Sequence, residues 1–316
     1  MPRLFVISLC ANLRPFSAAF DPLASPRRSV LRQASSRGIK TMASADVAPI
    51  SEIGAPQGGT VPPGECVLGE DWSPATLVER KAVSPSTFIF TFALPDPTKS
   101  LGLSTCACIL AKGGLEEPVI RPYTPISTQR LVGKFELMIK IYEQGAFSQF
   151  IAQLPIGGTV EFKHIPFNVK IQYPFRKQVG MLCGGTGVTP MLQALHAVLG
   201  TEGDETEKVA MVYGSRSSDD ILAGPTLDAW AAESGGKFTC THVLSHEPEG
   251  SAWPGARGFI SRQLVETHLP APGDDTHVFV CGPPAMYEAL CGPRDQKEVT
   301  GLLAEMGYTA EQVFKF

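Results

Sequence analysis

Cys183-Gly184-Gly185-Thr186-Gly187-Val188-Thr189-Pro190 is the stretch with the clearest chemical content. It follows the short apolar run 179–183 and leads into Met191, Leu195 and Val198 at helical spacing, so the sequence predicts strand, glycine turn and helix. Such a turn binds phosphate. Glycines bring the backbone close to an anion and accept positive φ, while the N-terminus of the next helix presents free N–H groups and the positive end of its dipole. The same glycines also suit a tight structural turn, so the choice rests on what accompanies them.

Two further stretches do. Arg121-Pro122-Tyr123-Thr124-Pro125-Ile126-Ser127 lies upstream and Cys281-Gly282-Pro283-Pro284-Ala285-Met286 downstream. With Ile139-Lys140-Ile141-Tyr142, the Gly184–Gln193 stretch and the closing Met306-Gly307-Tyr308 to Val313-Phe314-Lys315-Phe316, the chain from about residue 71 to 316 resembles the NADH-cytochrome b5 reductases of the ferredoxin reductase superfamily. That resemblance implies FAD and NADH as cofactors and cytochrome b5 or a similar haem protein as electron acceptor. It also assigns roles to residues. Thr124 is expected to hydrogen-bond flavin N5, and Cys281 to lie beside the nicotinamide C4 as a positioning thiol rather than a nucleophile.

The remaining cofactor contacts divide between the two ends of the site. For FAD, the planar donor fork of Arg121 suits a pyrophosphate. The ring of Tyr123 suits the flavin, Pro122 stiffens the segment, and Met138 and Lys140 share one strand. Gly145, Phe147 and Ser148 occupy the place of a family turn whose backbone N–H groups face the FAD phosphates. Ala146 stands where the family has lysine, which removes a cation from the surface expected to meet an acidic haem protein. For NADH, Gly184, Gly185, Thr186 and Gly187 form the phosphate turn, with Gly282, Pro283, Pro284 and Met286 opposite. Thr189 is expected to cap the following helix and, by resemblance, to reach the flavin. Asp220 favours the free ribose 2′-OH of NADH, against Arg216, which suits the 2′-phosphate of NADPH. The stretch His164-Ile165-Pro166-Phe167-Asn168-Val169-Lys170 departs from the family pattern, and a lone histidine there reads as structural.

These motifs need two kinds of scaffold. Phe88–Phe92, Phe135–Tyr142 and Thr159–Phe162 are β-rich runs between Pro/Gly turns, which predicts a small antiparallel barrel over 71–175, six-stranded and FAD-binding in the resembled family. Val209–Tyr213, Thr239–Leu244 and Val278–Cys281 alternate with helical segments at 192–199, 222–232, 261–267 and 298–306. Over 176–316 that predicts a Rossmann-like α/β domain with a parallel sheet and ligands at the carboxyl ends of its strands.

The rest of the chain bounds the reading. With 43% hydrophobic and 18% charged residues over 316, it is long enough for two cores. A net charge of −4 leaves no nucleic-acid footprint. No apolar run reaches membrane-span length, so any membrane association is expected through the N-terminus alone. Residues 1–45 carry seven basic side chains against Asp21 and are rich in Ser and Ala, the profile of a transit peptide. A mitochondrial address is expected, with the endoplasmic reticulum surface or a plastid as alternatives. Residues 46–70, rich in Pro and Gly, read as a linker, with folded structure starting near Asp71-Trp72. Eight cysteines contain no Cys-x-x-Cys pair, so no metal or cluster is expected, and Cys106 and Cys108 read as buried thiols on one strand face. A monomer is expected. A quinone or iron–sulfur protein is the alternative acceptor, and a nucleotide-binding module without turnover the alternative class.

Overall fold

The computed structural model describes residues 53–59, 61–62, 64–165 and 171–316. The expected transit peptide and residues 166–170 of the His164 stretch lie outside them.

The first lobe is a six-stranded antiparallel sheet in the order β4-β3-β6-β1-β2-β5. Its strands are β1 (Ser73–Ser84), β2 (Thr87–Ala93), β3 (Ile109–Gly113), β4 (Val119–Tyr123), β5 (Lys134–Lys140) and β6 (Thr159–His164). Aromatic and β-branched residues alternate along them, which places one face of the pleat inward. Phe92, Phe135 and Phe162 meet there, with ring centroids 4.9 to 5.5 Å apart. The two edges are drawn together beyond β4, where Ile126 N–H donates to the Glu136 carbonyl at 2.9 Å and Glu136 N–H to Ser127 Oγ at 3.0 Å. Helix α1 (Ala146–Gln153) packs Phe147 and Ile151 into this core.

The second lobe is an all-parallel sheet in the order β10-β9-β8-β7-β11-β12. It comprises β7 (Gln178–Gly184), β8 (Lys208–Ser215), β9 (Phe238–Leu244), β10 (Ala256–Arg257), β11 (Thr276–Cys281) and β12 (Val313–Lys315). The helices are α2 (Val188–Gly200), α3 (Gly224–Glu233), α4 (Arg262–His268), α5 (Pro284–Leu290) and α6 (Gly301–Glu305). Near-continuous apolar strands belong in a sheet covered on both faces. Here Val179, Met181 and Cys183 of β7 join one cluster with Leu192 and Leu227, while Leu182 joins another with Val265, Tyr287 and Leu303. The first cluster also takes in Val83, Ile89, Cys106, Ile126 and Met138 of the barrel lobe, so the lobes share an apolar seam.

Three local expectations are corrected. The described part of the expected linker 46–70 is not free chain throughout: Leu68 is 2% exposed and packs with Cys66 into the barrel core, and Ile53 packs on the seam. Scattered single apolar residues in a Pro/Gly-rich segment carry no periodicity, although Ile53, Cys66 and Leu68 each pack against a core cluster. Cys106 is not on a strand with Cys108. It sits in a turn at φ +62°, and β3 begins only at Ile109. Thr189 does not cap α2: the N-cap position is Gly187, without a side-chain bond, and Thr189 is a buried first-turn residue.

Candidate active site

The glycine turn forms as the sequence predicts. β7 ends at Gly184, a single 3₁₀ turn spans Gly185–Gly187, and α2 starts at Val188. Gly185 has φ +53° with nothing within 4 Å of a Cβ placed there, so glycine is needed for its backbone conformation. Gly187 is needed for space. A Cβ on it would run into the Cys281 carbonyl oxygen and lie 2.6 Å from the Cys281 carbonyl carbon.

The second nucleotide motif lies directly alongside. β7 and β11 are parallel neighbours in the register Cys183↔Cys281, so both motifs leave the sheet at the same carboxyl end. A Cβ on Gly184 would touch Pro283 Cδ at 3.1 Å and Met286 Sδ at 3.0 Å, and one on Gly282 would meet Met286 Sδ at 2.5 Å. Pro283 is the N-cap of α5, with Pro284 its first residue. Two glycine turns and two helix N-termini thus form one backbone-walled cradle that side chains would fill, which fits a dinucleotide. Burial pushes the Cys281 thiol up to about 11, with Tyr287 and Arg294 only partly offsetting it. At neutral pH this thiol stays protonated and is a poor nucleophile.

On the barrel side, Arg121 and Pro122 are exposed on β4 and Tyr123 is half-buried at its end, followed by half-buried Thr124. No carboxylate pairs with Arg121 among the described residues; one of its guanidinium N–H groups donates to the Ile120 carbonyl at 2.8 Å. Tyr123 packs its ring 5.3 Å from that of Phe147, and burial raises its hydroxyl pKa. Gly145 is the N-cap of α1 and no side chain caps that helix. Ser148 Oγ, buried in the first turn, instead accepts from Tyr142 N–H at 3.1 Å and fixes the turn that precedes α1. An uncapped helix start near an unpaired arginine fits a pyrophosphate. Ala146 opens α1 at an exposed position.

Lys140 and Asp220 meet across the seam. Lys140 ends β5, Asp220 closes the 3₁₀ turn Ser218–Asp220 beyond β8, and their Nζ–Oδ1 distance is 3.0 Å with both half-buried. Asp220 also accepts from Ser217 Oγ at 3.3 Å. Arg216 is exposed beside this turn. Met138, expected among the cofactor contacts, is 2% exposed and packs in the seam behind Lys140. His164 is likewise structural: it is buried, its backbone N–H donates to the Gly69 carbonyl at 2.7 Å, and burial lowers its pKa.

Sequence reasoning missed two features of this rim. Phe259 is 77% exposed and sets its ring edge-on to His246, whose backbone N–H donates to Arg216 O at 2.7 Å. It thus offers an exposed aromatic surface beside Arg216; one aromatic in the Gly-Phe-Ile-Ser loop gave no signal of this. Lys315 is the other. Its buried ammonium donates to the carbonyls of Pro293, Gln296 and Glu298 at 2.7 to 3.0 Å, which pins the loop that carries Arg294 toward Cys281.

Comparison with known proteins agrees with this geometry. The family described as "Oxidoreductase FAD-binding domain" matches residues 74–166, and "Oxidoreductase NAD-binding domain" matches residues 181–292. The chain is 40% identical to "NADH-cytochrome b5 reductase 1" of Dictyostelium discoideum, over 76% of this chain and 80% of that one. It is 37% identical to "NADH-cytochrome b5 reductase-like protein" of Arabidopsis thaliana, over 78% and 77%. The crystal structure of the cytochrome b5 reductase domain of Ulva prolifera nitrate reductase superposes with a TM-score of 0.68 at 29% identity, over 78% of this chain and 97% of that one. With both cofactor lobes matched and likeness of this order over three quarters of its length, the chain belongs to the NADH-cytochrome b5 reductase family of flavoprotein oxidoreductases.

Proposed function

We propose that this protein passes electrons from NADH through FAD to a separate haem protein, cytochrome b5, the acceptor in its relatives' names. The observation that carries the reading is the convergence of Gly184–Gly187 and Cys281–Pro284 at one sheet end, with Lys140 of the barrel lobe tied to Asp220 beside them. When bound, FAD supplies the conversion between a two-electron donor and a one-electron acceptor. The chain supplies position. Arg121 and the start of α1 would hold the FAD phosphates, Tyr123 would line the flavin, and Thr124 would hydrogen-bond N5. The cradle glycines hold the dinucleotide, and the protonated Cys281 thiol sets the nicotinamide. Asp220 favours a free 2′-OH, and its pairing with Lys140 at 3.0 Å supports a carboxylate held in place beside the seam.

Residues 1–45 support an organelle address, the mitochondrion first, and the enzyme acts as a monomer with any membrane contact through this N-terminal segment. A fluorescent fusion of residues 1–45 that stays cytosolic would overturn the address, and sedimentation of a dimer would overturn the monomer. The central test is anaerobic stopped-flow mixing of the flavin-loaded protein with NADH and, separately, NADPH, followed by oxidised cytochrome b5. Rapid bleaching by NADH and rapid haem reduction are expected. Bleaching without haem reduction would move the acceptor to a quinone or iron–sulfur protein, and absence of bleaching would leave a nucleotide-binding module.

A further inference from the structure

Residues 53–58 bridge the two lobes at the back of the phosphate-binding helix. Trp230 Nε1 on α3 donates to the Gly54 carbonyl at 3.0 Å. Gln57 N–H donates to His196 Nδ1 on α2 at 3.1 Å, and the Gln57 side-chain oxygen accepts from Thr128 Oγ1 of the barrel lobe at 2.5 Å. Thr128 follows the Arg121–Ser127 motif without a break. Its loop is fixed in turn by Gln129, which donates to Leu103 O at 2.6 Å and accepts from Gly102 N–H at 2.6 Å.

The face of α2 turned toward this bridge is continuous. Pro190, Gln193, His196 and Gly200 fall at helical spacing. Pro190 O accepts from the Cys106 thiol at 3.2 Å, and Gln193 Nε2 donates to Pro125 O at 2.7 Å and Ser127 O at 2.8 Å. Gly200 admits the bridge at closest approach: a Cβ there would collide with Gly58 N and lie 2.5 Å from the backbone N and C of Gln57. His196 is 3% exposed and packs edge-on to Trp230, with centroids 4.8 Å apart. A strand of solvent-exposed linker would have none of these contacts.

We propose that Gln57 is a positioning residue for the electron-transfer reaction. It couples α2, whose first turn cradles the dinucleotide, to the loop that continues from the flavin motif, and so fixes how the nicotinamide lies over the flavin. This inference rests on the electron-transfer reading above. Two bonds from one residue reach opposite lobes, the backbone one to His196 and the side-chain one to Thr128, so losing the side-chain bond uncouples the bridge from the barrel lobe and changes the angle between lobes while leaving each cofactor's own contacts in place.

The test uses the full-length, FAD-loaded protein with Gln57→Ala, Gln57→Glu and Gly200→Ala. Gln57→Glu keeps a side-chain oxygen for Thr128 and is expected to behave as wild type. Gln57→Ala is expected to lower the limiting rate of flavin bleaching at saturating NADH about threefold, and Gly200→Ala, which displaces the bridge backbone, about tenfold. Both should weaken the long-wavelength charge-transfer absorbance of reduced flavin with NAD⁺ and speed amide exchange over 126–129. FAD content and NAD⁺ affinity should stay within about twofold. Should Gly200→Ala fail to fold, the Gln57→Ala and Gln57→Glu pair decides alone. Unchanged bleaching rate and charge-transfer absorbance in folded Gln57→Ala, or a loss in proportion to lost FAD, would overturn the inference. Wild-type protein that NADH does not bleach would instead overturn the electron-transfer reading.

Discussion

Gly187→Ala tests the cradle most directly. Gly187 has φ −61° and ψ −6°, which alanine adopts without strain, so any effect is steric. Its Cβ would collide with the Cys281 carbonyl oxygen and sit 2.6 Å from the carbonyl carbon, 0.8 Å inside the 3.4 Å at which ordinary contact begins. Those atoms end a sheet strand paired on both sides with β7 and β12, so they do not yield as a flexible side chain would. The start of α2 and the end of β11 must part by about 1 Å, a misplacement that can reduce rate about 100-fold, and overpacking of this kind costs about 1–3 kcal/mol of stability. Urea unfolding measures the second and anaerobic stopped-flow bleaching by NADH the first. FAD bound to the barrel lobe serves as the internal control, since the colliding atoms, Gly187 Cβ and the Cys281 carbonyl, both belong to the other lobe. Gly185→Ala provides the contrast. With open space and φ +53° its effect is conformational, about 1–2 kcal/mol, and Gly185→Asn should recover part of it. A Gly187→Ala enzyme with wild-type rate and stability would refute the account of two turns sharing one wall.

Other measurements follow from the same geometry. Arg121→Ala is expected to weaken FAD binding by about 1.5–3 kcal/mol, read by fluorescence titration of apoprotein, with Arg121→Lys in between because lysine lacks the planar fork. Burial lowers the His196 pKa from 6.5 to about 4. The unfolded chain therefore binds this proton first on acidification; the stability it contributes is full above about pH 6.5 and is lost as pH falls through 4. The span is worth on the order of 3 kcal/mol, and His196→Asn, which keeps an acceptor for Gln57 N–H, should flatten the decline between pH 6.5 and 5 in chemical denaturation. Cys281 should resist iodoacetamide at pH 7.5, and Cys281→Ala should slow bleaching about tenfold without releasing FAD. Asp220→Ala frees Lys140 for a 2′-phosphate and should narrow the preference for NADH over NADPH about tenfold in kcat/KM, while an unchanged ratio would remove Asp220 from nucleotide selection.

The sequence made the two sheets legible because their strands obey simple periods: Phe90 and Phe92 point into the barrel, and Val209 to Tyr213 form the apolar run that a doubly covered parallel strand requires. The cradle was legible for a different reason, since turns that approach a backbone need glycine and glycine is visible as a letter. What stayed hidden were features made by contacts distant in sequence. No rule places Lys140 against Asp220, Lys315 under three carbonyls or Gln57 between two lobes, because each depends on a packing that local pattern does not encode. Cys106 shows the converse. Two cysteines spaced as on a strand lie instead across a turn whose left-handed residue, more often glycine, is here a thiol bonded to Pro190. Thr189 likewise had the right type for a cap but stands beyond the position where α2 begins.

The bridge of residues 53–58 also dictates an order of assembly. Its bonds close loops of 71, 139 and 176 residues, from Gln57 to Thr128, Gln57 to His196 and Gly54 to Trp230. The barrel strands β1 and β2, by contrast, form a hairpin of immediate neighbours. Closing long loops carries an entropy that only finished docking sites can offset, so the bridge can settle only after both lobes have condensed. A refolding chain would therefore bind FAD as the barrel condenses, and regain its response to NADH in a later, slower phase, when a segment that precedes both lobes in the chain is the last to find its place.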